Sequence, residues 1–209
     1  EECEGVDAET VRIVRCQVAT VDVVAVNSRK LNVKVQLCFF IEGYCQTQCE
    51  ITEGTQEKQV EMLSEMQTVT LTEQVRAYPI TVLDDVSMQD ADGLSILHTN
   101  CTLRTSECRA MRGKIVLKGE AEIQCLAMQE DDVVRILSNT TPFTQILEMP
   151  EVEEQDAVCA QLAVREIDSR IEPDGLLSYT VSVTALITVR RTKTLCRIKD
   201  LYLPGRTLQ

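Results

Sequence analysis

Three stretches of this chain alternate apolar and polar residues almost without interruption. They read LNVKVQLCFFI at residues 31–41, IVLKGEAEIQCLA at 115–127 and LSYTVSVTALITV at 177–189. In the first, Leu31, Val33, Val35, Leu37, Phe39 and Ile41 fall on one side of a pleat, with Asn32, Lys34, Gln36 and Cys38 on the other. A period of two predicts a half-buried strand, because successive side chains leave an extended backbone on opposite faces. The second stretch puts Ile115, Leu117, Gly119, Ala121, Ile123 and Cys125 on one face; the third does the same with Leu177, Tyr179, Val181, Val183, Ala185, Ile187 and Val189. Apolar residues rarely recur at a helical spacing. The pattern predicts an all-β fold of tandem antiparallel β-sandwich-like modules with little helix.

Two offsets bring the chain onto itself. A shift of 83 to 84 residues lays VRIV at 11–14 on LSIL at 94–97, and Arg29-Lys30 on Arg112-Gly113-Lys114. A shift of 144 to 146 sets CQVATVDV, from Cys16, on CAQLAVREI, from Cys159, and matches the first long strand to the third. The second match keeps strand, loop and strand in order and is the more coherent of the two. It assigns residues 1–50 to the closing part of a first module, 51–93 to a linker and an extended segment, and 94–209 to a second module. Within 51–93, residues 51–66 are polar and weakly helical by propensity, and 68–88 are rich in β-branched residues, with Pro79 forcing an edge or a break. Gly113 and Gly119 read as strand residues, while Pro142, Pro150 and the Pro173-Asp174-Gly175 turn mark strand ends. That last turn joins 164–171 to 177–189 as a hairpin.

Charge and composition narrow the function classes. A net charge of -12, from 33 acidic against 21 basic residues, repels phosphate backbones, so nucleic acid is not an expected partner. With three Phe, four Tyr and no Trp, the chain is poorly supplied with the aromatic platforms of a carbohydrate-binding module. No apolar run approaches the about 18 to 20 residues of a membrane-spanning helix. The acidic run at 151–154 reads as a solvated loop.

The chemistry-bearing residues form no catalytic constellation. His98, the only histidine, lies three residues from Cys101, so in a strand the two side chains point to opposite faces. Asp84-Asp85 and Asp131-Asp132 read as turn acids without the oxygen spacing of a calcium loop. No phosphate loop, nucleophile elbow or dinucleotide glycine fingerprint is present. The chain is expected to be no enzyme and to carry no metal or cofactor. Of its ten cysteines, Cys45 and Cys49 are the candidate oxidisable thiols, a C-x3-C pair after the first long strand; zinc would require two further ligands. Cys38 and Cys125 sit within alternating strands and are expected to react more slowly, shielded by packing. The first long strand carries one charge in eleven residues, and Cys38 and Phe40 mark it as a candidate interaction strand.

Residues 94–203 resemble the SPOCS domain family of endospore-forming clostridia. The resemblance rests on Lys114-Ile115-Val116-Leu117-Lys118-Gly119-Glu120, similar to the family's K-h-h-h-K-G-E strand. It rests also on Thr141-Pro142-Phe143-Thr144-Gln145-Ile146-Leu147-Glu148-Met149-Pro150, similar to its P-F-x-Q-h-h-E-h-P segment, and on Asp200-Leu201-Tyr202 at the close. Residues 1–50 look like the end of a preceding copy. The resemblance implies a non-catalytic sporulation protein of the mother-cell cytoplasm and the spore coat or envelope, and the sparsely charged first long strand, with an edge open to pairing, predicts self-association or contact with other spore coat proteins. A disulfide-linked subunit of an extracellular fibre or spore appendage, at the spore surface, is the alternative.

Overall fold

The computed structural model describes residues 10–45, 47, 50–52, 54–56, 60–87, 93–129 and 133–204. Strand accounts for 82% of them and helix for none, so the fold is all-β, in three antiparallel sheets. The strands are β1 (Val11–Asn27), β2 (Lys30–Tyr44), β3 (Glu61–Ser87), β4 (Ser95–Met111), β5 (Lys114–Met128), β6 (Val134–Glu148), β7 (Ala157–Ile171) and β8 (Leu176–Tyr202). The chain divides into two compact units, Glu1–Thr47 and Gln48–Gln209.

The first unit is a two-stranded ribbon. β1 and β2 pair antiparallel from Val11↔Tyr44 to Asn27↔Lys30, with one-residue slips at Ala19 and Val26. The tip is the two-residue turn Ser28-Arg29, where the Arg29 N–H donates to Asn27 Oδ1 at 2.9 Å.

The second unit is a sandwich of sheets β3-β8-β7 and β4-β5-β6. Its core lies between the two central strands. Ile115, Leu117, Ala121, Ile123 and Cys125 of β5 are fully buried, and Leu177, Tyr179, Val181, Val183, Ala185, Ile187 and Val189 of β8 are nearly so. Side-chain bonds fasten the sheets at both margins. Thr99 on β4 meets Ser169 on β7 at 2.6 Å, and across the other margin the Tyr78 hydroxyl donates to the Glu148 carbonyl at 2.8 Å. Nearby, Thr141 of β6 donates to Asp84 of β3 at 2.7 Å and also meets the Tyr179 hydroxyl.

The loop from β6 to β7 closes one end. Val152 and Met149 are buried, and the Gly113 N–H donates to the Val152 carbonyl at 2.9 Å. Asp156, its side chain fully enclosed, accepts from Arg191 Nε and Nη2 at 2.7 and 2.6 Å, and from the Glu153 N–H at 2.9 Å. A two-pronged guanidinium contact of this kind offsets much of the cost of burying a carboxylate.

Several sequence expectations need correction. Residues 61–87 of the expected linker and extended segment form β3, which pairs with β8 along its whole length; the second unit therefore takes in far more than 94–209. Gly113 sits in the β4–β5 turn at φ +75°, a left-handed conformation that favours glycine, rather than in a strand. Pro142 lies inside β6, opposite Glu120, instead of ending a strand; β6 is the outer strand of its sheet, where a missing N–H is tolerated. Asp84 and Asp85 belong to β3 and not to a turn. Asp131 and Asp132 lie outside the described residues. Finally, β2 is exposed on both faces rather than half-buried, because a two-stranded ribbon supplies no second layer.

Candidate interaction surface

The register of the ribbon decides what each of its faces presents, since directly opposed residues in an antiparallel pair share a face. Val14, Cys16, Val18, Val21, Val23 and Ala25 of β1 lie opposite Ile41, Phe39, Leu37, Val35, Val33 and Leu31 of β2. The one-residue slip at Ala19 keeps this alignment, by shifting β1 back into phase halfway along. These twelve side chains form one continuous face without a charge, and all twelve are exposed. Phe39 and Leu31 are 61% and 64% exposed, against 0% for Ile123 and Ile115 on β5. The first charged residue on this face is Arg12, beyond Val14. The opposite face carries Arg15, Asp22, Lys34 and Glu42, with Thr20 and Gln36 bonded across the strands at 3.5 Å.

Cys38 and Phe40, the residues that mark the candidate interaction strand, lie on this charged face, opposite Gln17 and Arg15. Both are exposed, so Cys38 is not shielded by packing as its strand position implied. The apolar face is the other side of the same strand. Cys45 is exposed just past β2, with its sulfur 4.0 Å from Thr10 Oγ1, and Cys49 lies outside the described residues.

The described thiols of the second unit range from buried to exposed. Cys125 is fully buried, and burial pushes the pKa of Cys101 and of Cys108 up to about 11. Cys159 is exposed. His98 is exposed on the outer side of β4, while Cys101 turns inward opposite Ile123, so the two do not meet.

Two features here escaped sequence reading. One is the Asp156–Arg191 clamp, whose partners are 35 residues apart and belong to a loop and a strand with no shared motif. The other is a cleft of about 440 Å³ where residues 50–52 lie beside β3 and β8. Ile51, Val69, Leu195 and Ile198 line it, with Glu50 and Arg197 as the charged residues of its described lining. Neither gathers groups for proton transfer or nucleophilic attack. Among the described residues, no three His, Cys, Asp or Glu side chains cluster as a metal site would require, and no helix is long and apolar enough to cross a membrane.

Residues 94–172 match the family model described as SipL, SPOCS domain. The matched stretch runs from the start of β4 to just past β7 and stops short of β8. It contains the K-G-E strand and the P-F segment that carry the resemblance in sequence. No curated protein and no solved structure matches the chain. The SPOCS domain is a sporulation-associated module, and a match over residues 94–172 suggests a sporulation-related role.

Proposed function

We propose that this chain is a non-catalytic scaffolding component of the spore coat or spore envelope, made in the mother cell and working by protein–protein contact. The observation that carries this reading is the uncharged ribbon face, twelve apolar side chains left in solvent on a chain whose other unit encloses its core. Exposed contiguous apolar surface of this extent marks interaction sites in folded proteins. The sporulation-associated SPOCS match supplies the setting. In sporulating cells a fluorescently tagged copy is expected to concentrate at the forespore surface and to be recovered with extracted coat protein. Uniform fluorescence through the mother cell, with normal coats in a deletion strain, would overturn the proposal.

A second reading, a fibre or appendage subunit cross-linked through cysteines, is favoured by the exposed thiols of Cys16, Cys38 and Cys159. It calls for multimers that survive boiling in detergent and collapse when reductant is added.

A further inference from the structure

We propose that the apolar face of the β1–β2 ribbon docks on the same face of a second copy of this chain, the two ribbons packing as the layers of a sandwich. The inference rests on the assembly reading for its biological setting and adds the identity of the partner and the surface.

A bare two-stranded ribbon is at best marginally stable in water, and three or more strands or a covering layer are normally needed. This ribbon pairs over fifteen or more residues per strand, yet Ile13 is its only buried apolar side chain. Its geometry shows what kind of cover it suits. β1, the two-residue turn and β2 span 17, 2 and 15 residues, and β4, its turn and β5 span the same lengths 84 positions later. In the second unit the equivalent β5 face is packed beneath sheet β3-β8-β7. That sheet already has its inner face filled within every copy. The uncovered sheet face of like shape that a second molecule brings is its own ribbon.

Size and charge agree with self-docking. At about 3.3 Å per residue and about 4.8 Å between strands, the face is about 40 Å long and about 10 Å wide. Twelve side chains at roughly half exposure present on the order of 800 Å², the burial per partner of a stable interface. Two such faces bring twelve apolar side chains from each copy into one interior, against nineteen in the core of the second unit. The twelve side chains of the face carry no charge, and Arg15, Asp22, Lys34 and Glu42 on the opposite face sum to zero. A patch that binds its own copy closes on a two-fold axis and stops at the dimer.

The test uses the purified chain in reducing buffer. Sedimentation over a concentration series is expected to give twice the 23.4 kDa of one chain. Val21 and Val35 oppose each other at the centre of the face, so V21K/V35E keeps a cross-strand pair while placing charge in the contact; it is expected to sediment as a monomer. T20K/Q36E, a cross-strand pair on the other face, is expected to remain dimeric. Cys16 lies in the contact and Cys38 outside it, so iodoacetamide should label Cys16 roughly tenfold more slowly than Cys38 in the parent protein, and equally fast in V21K/V35E. If V21K/V35E fails to fold, the labelling contrast in the parent decides. A parent that stays monomeric at high micromolar concentration overturns the proposal, as does a dimer in which Cys16 labels as fast as Cys38. A monomer that protects Cys16 only on adding lipid vesicles overturns it too, giving the face to a membrane surface. None of these results depends on where the protein resides in the spore. A dimer absent from coat extracts would refute the coat reading alone.

Discussion

Gly119 is the position where a single methyl group should do the most damage. It lies at the middle of β5, opposite Thr105 of β4 and Phe143 of β6, and the sheet leaves it no room. A Cβ built there runs into the Arg104 carbonyl oxygen and lies 2.5 and 2.9 Å from two atoms of the Phe143 ring. The slip in β4 between Thr105 and Glu107 falls just where β4 crosses this glycine, and the Phe143 ring fills the space above it. Overpacking of this kind costs about 1 to 3 kcal/mol, and the contact with a backbone oxygen puts Gly119→Ala at the upper end. Reduced backbone freedom in the unfolded chain returns about 0.5 to 1 kcal/mol. The net loss of about 2 kcal/mol corresponds to a fall of about 4 to 8 °C in Tm for a unit of this size. Thermal melts of G119A beside F143L and the double variant test the cause as well as the size. If the ring is the obstacle, the double variant loses less than the two single losses added together. A G119A protein that melts within about 1 °C of the parent would refute the account of this glycine.

Asp156 should make stability fall in acid. Arg191 holds its carboxyl below the usual aspartate range, so its contribution is complete above the unfolded value of about 3.9 and is lost as pH drops through the lower folded value. Asp156→Ala is expected to cost about 2 to 3 kcal/mol in urea unfolding at pH 7, with the gap to the parent narrowing below about pH 4; an equal gap at pH 7 and pH 3 would contradict the clamp. Among the thiols outside the ribbon's apolar face, Cys38 and Cys159 should alkylate at pH 8 well ahead of Cys101, Cys108 and Cys125. A pKa of about 11 leaves Cys101 and Cys108 roughly a hundredfold less thiolate than the ordinary value of 9.0, and mass spectrometry of partial labelling gives the order. His98→Ala, an exposed change on the outer side of β4, should leave Tm within about 1 °C and every sporulation readout unchanged; loss of function in the folded variant would reveal a site at this strand.

Strict alternation carried the core faithfully where a strand is central to a two-layer unit. Every inward position of β5 and β8 named from the period of two is buried, because both sides of each strand are paired and one face is roofed. β3 was harder to read. As an outer strand it contributes Ile80 and Val82 to the core but leaves most of residues 61–72 exposed, and a polar stretch with weak helical propensity is drawn into strand by its pairing with β8. Residues 190–202 of β8 lie beyond the stretch paired with β7 except at Arg190, and there too the clean alternation fades. The exposure of Cys38 has a different origin. Alternation states which residues share a face; whether a second layer covers that face is decided by distant parts of a fold, and no local pattern encodes it. The apolar ribbon face was therefore legible as a face and illegible as an exposed one.

The difference between the two hairpins bears on what the ribbon is for. At the offset that superposes their strand lengths, Gly119 of β5 corresponds to Val35 of β2. In the sandwich the glycine leaves a gap, and a third strand fills it with the Phe143 ring. In the two-stranded ribbon, Val35 and the opposed Val21 occupy the centre themselves. A glycine there would leave a hole in the middle of the apolar face, with no ring from a neighbouring strand to close it. The ribbon face is thus filled from end to end by its own side chains. A filled face of this kind suits packing flat against another sheet, and it predicts that Val35→Ala, at the centre, weakens self-association by more than Val33→Ala, which removes the same two methyl groups one step nearer the tip of the same row. Sedimentation of the two variants side by side decides. Equal weakening would mean that the face works by total apolar area alone, and that the fit at its centre contributes nothing.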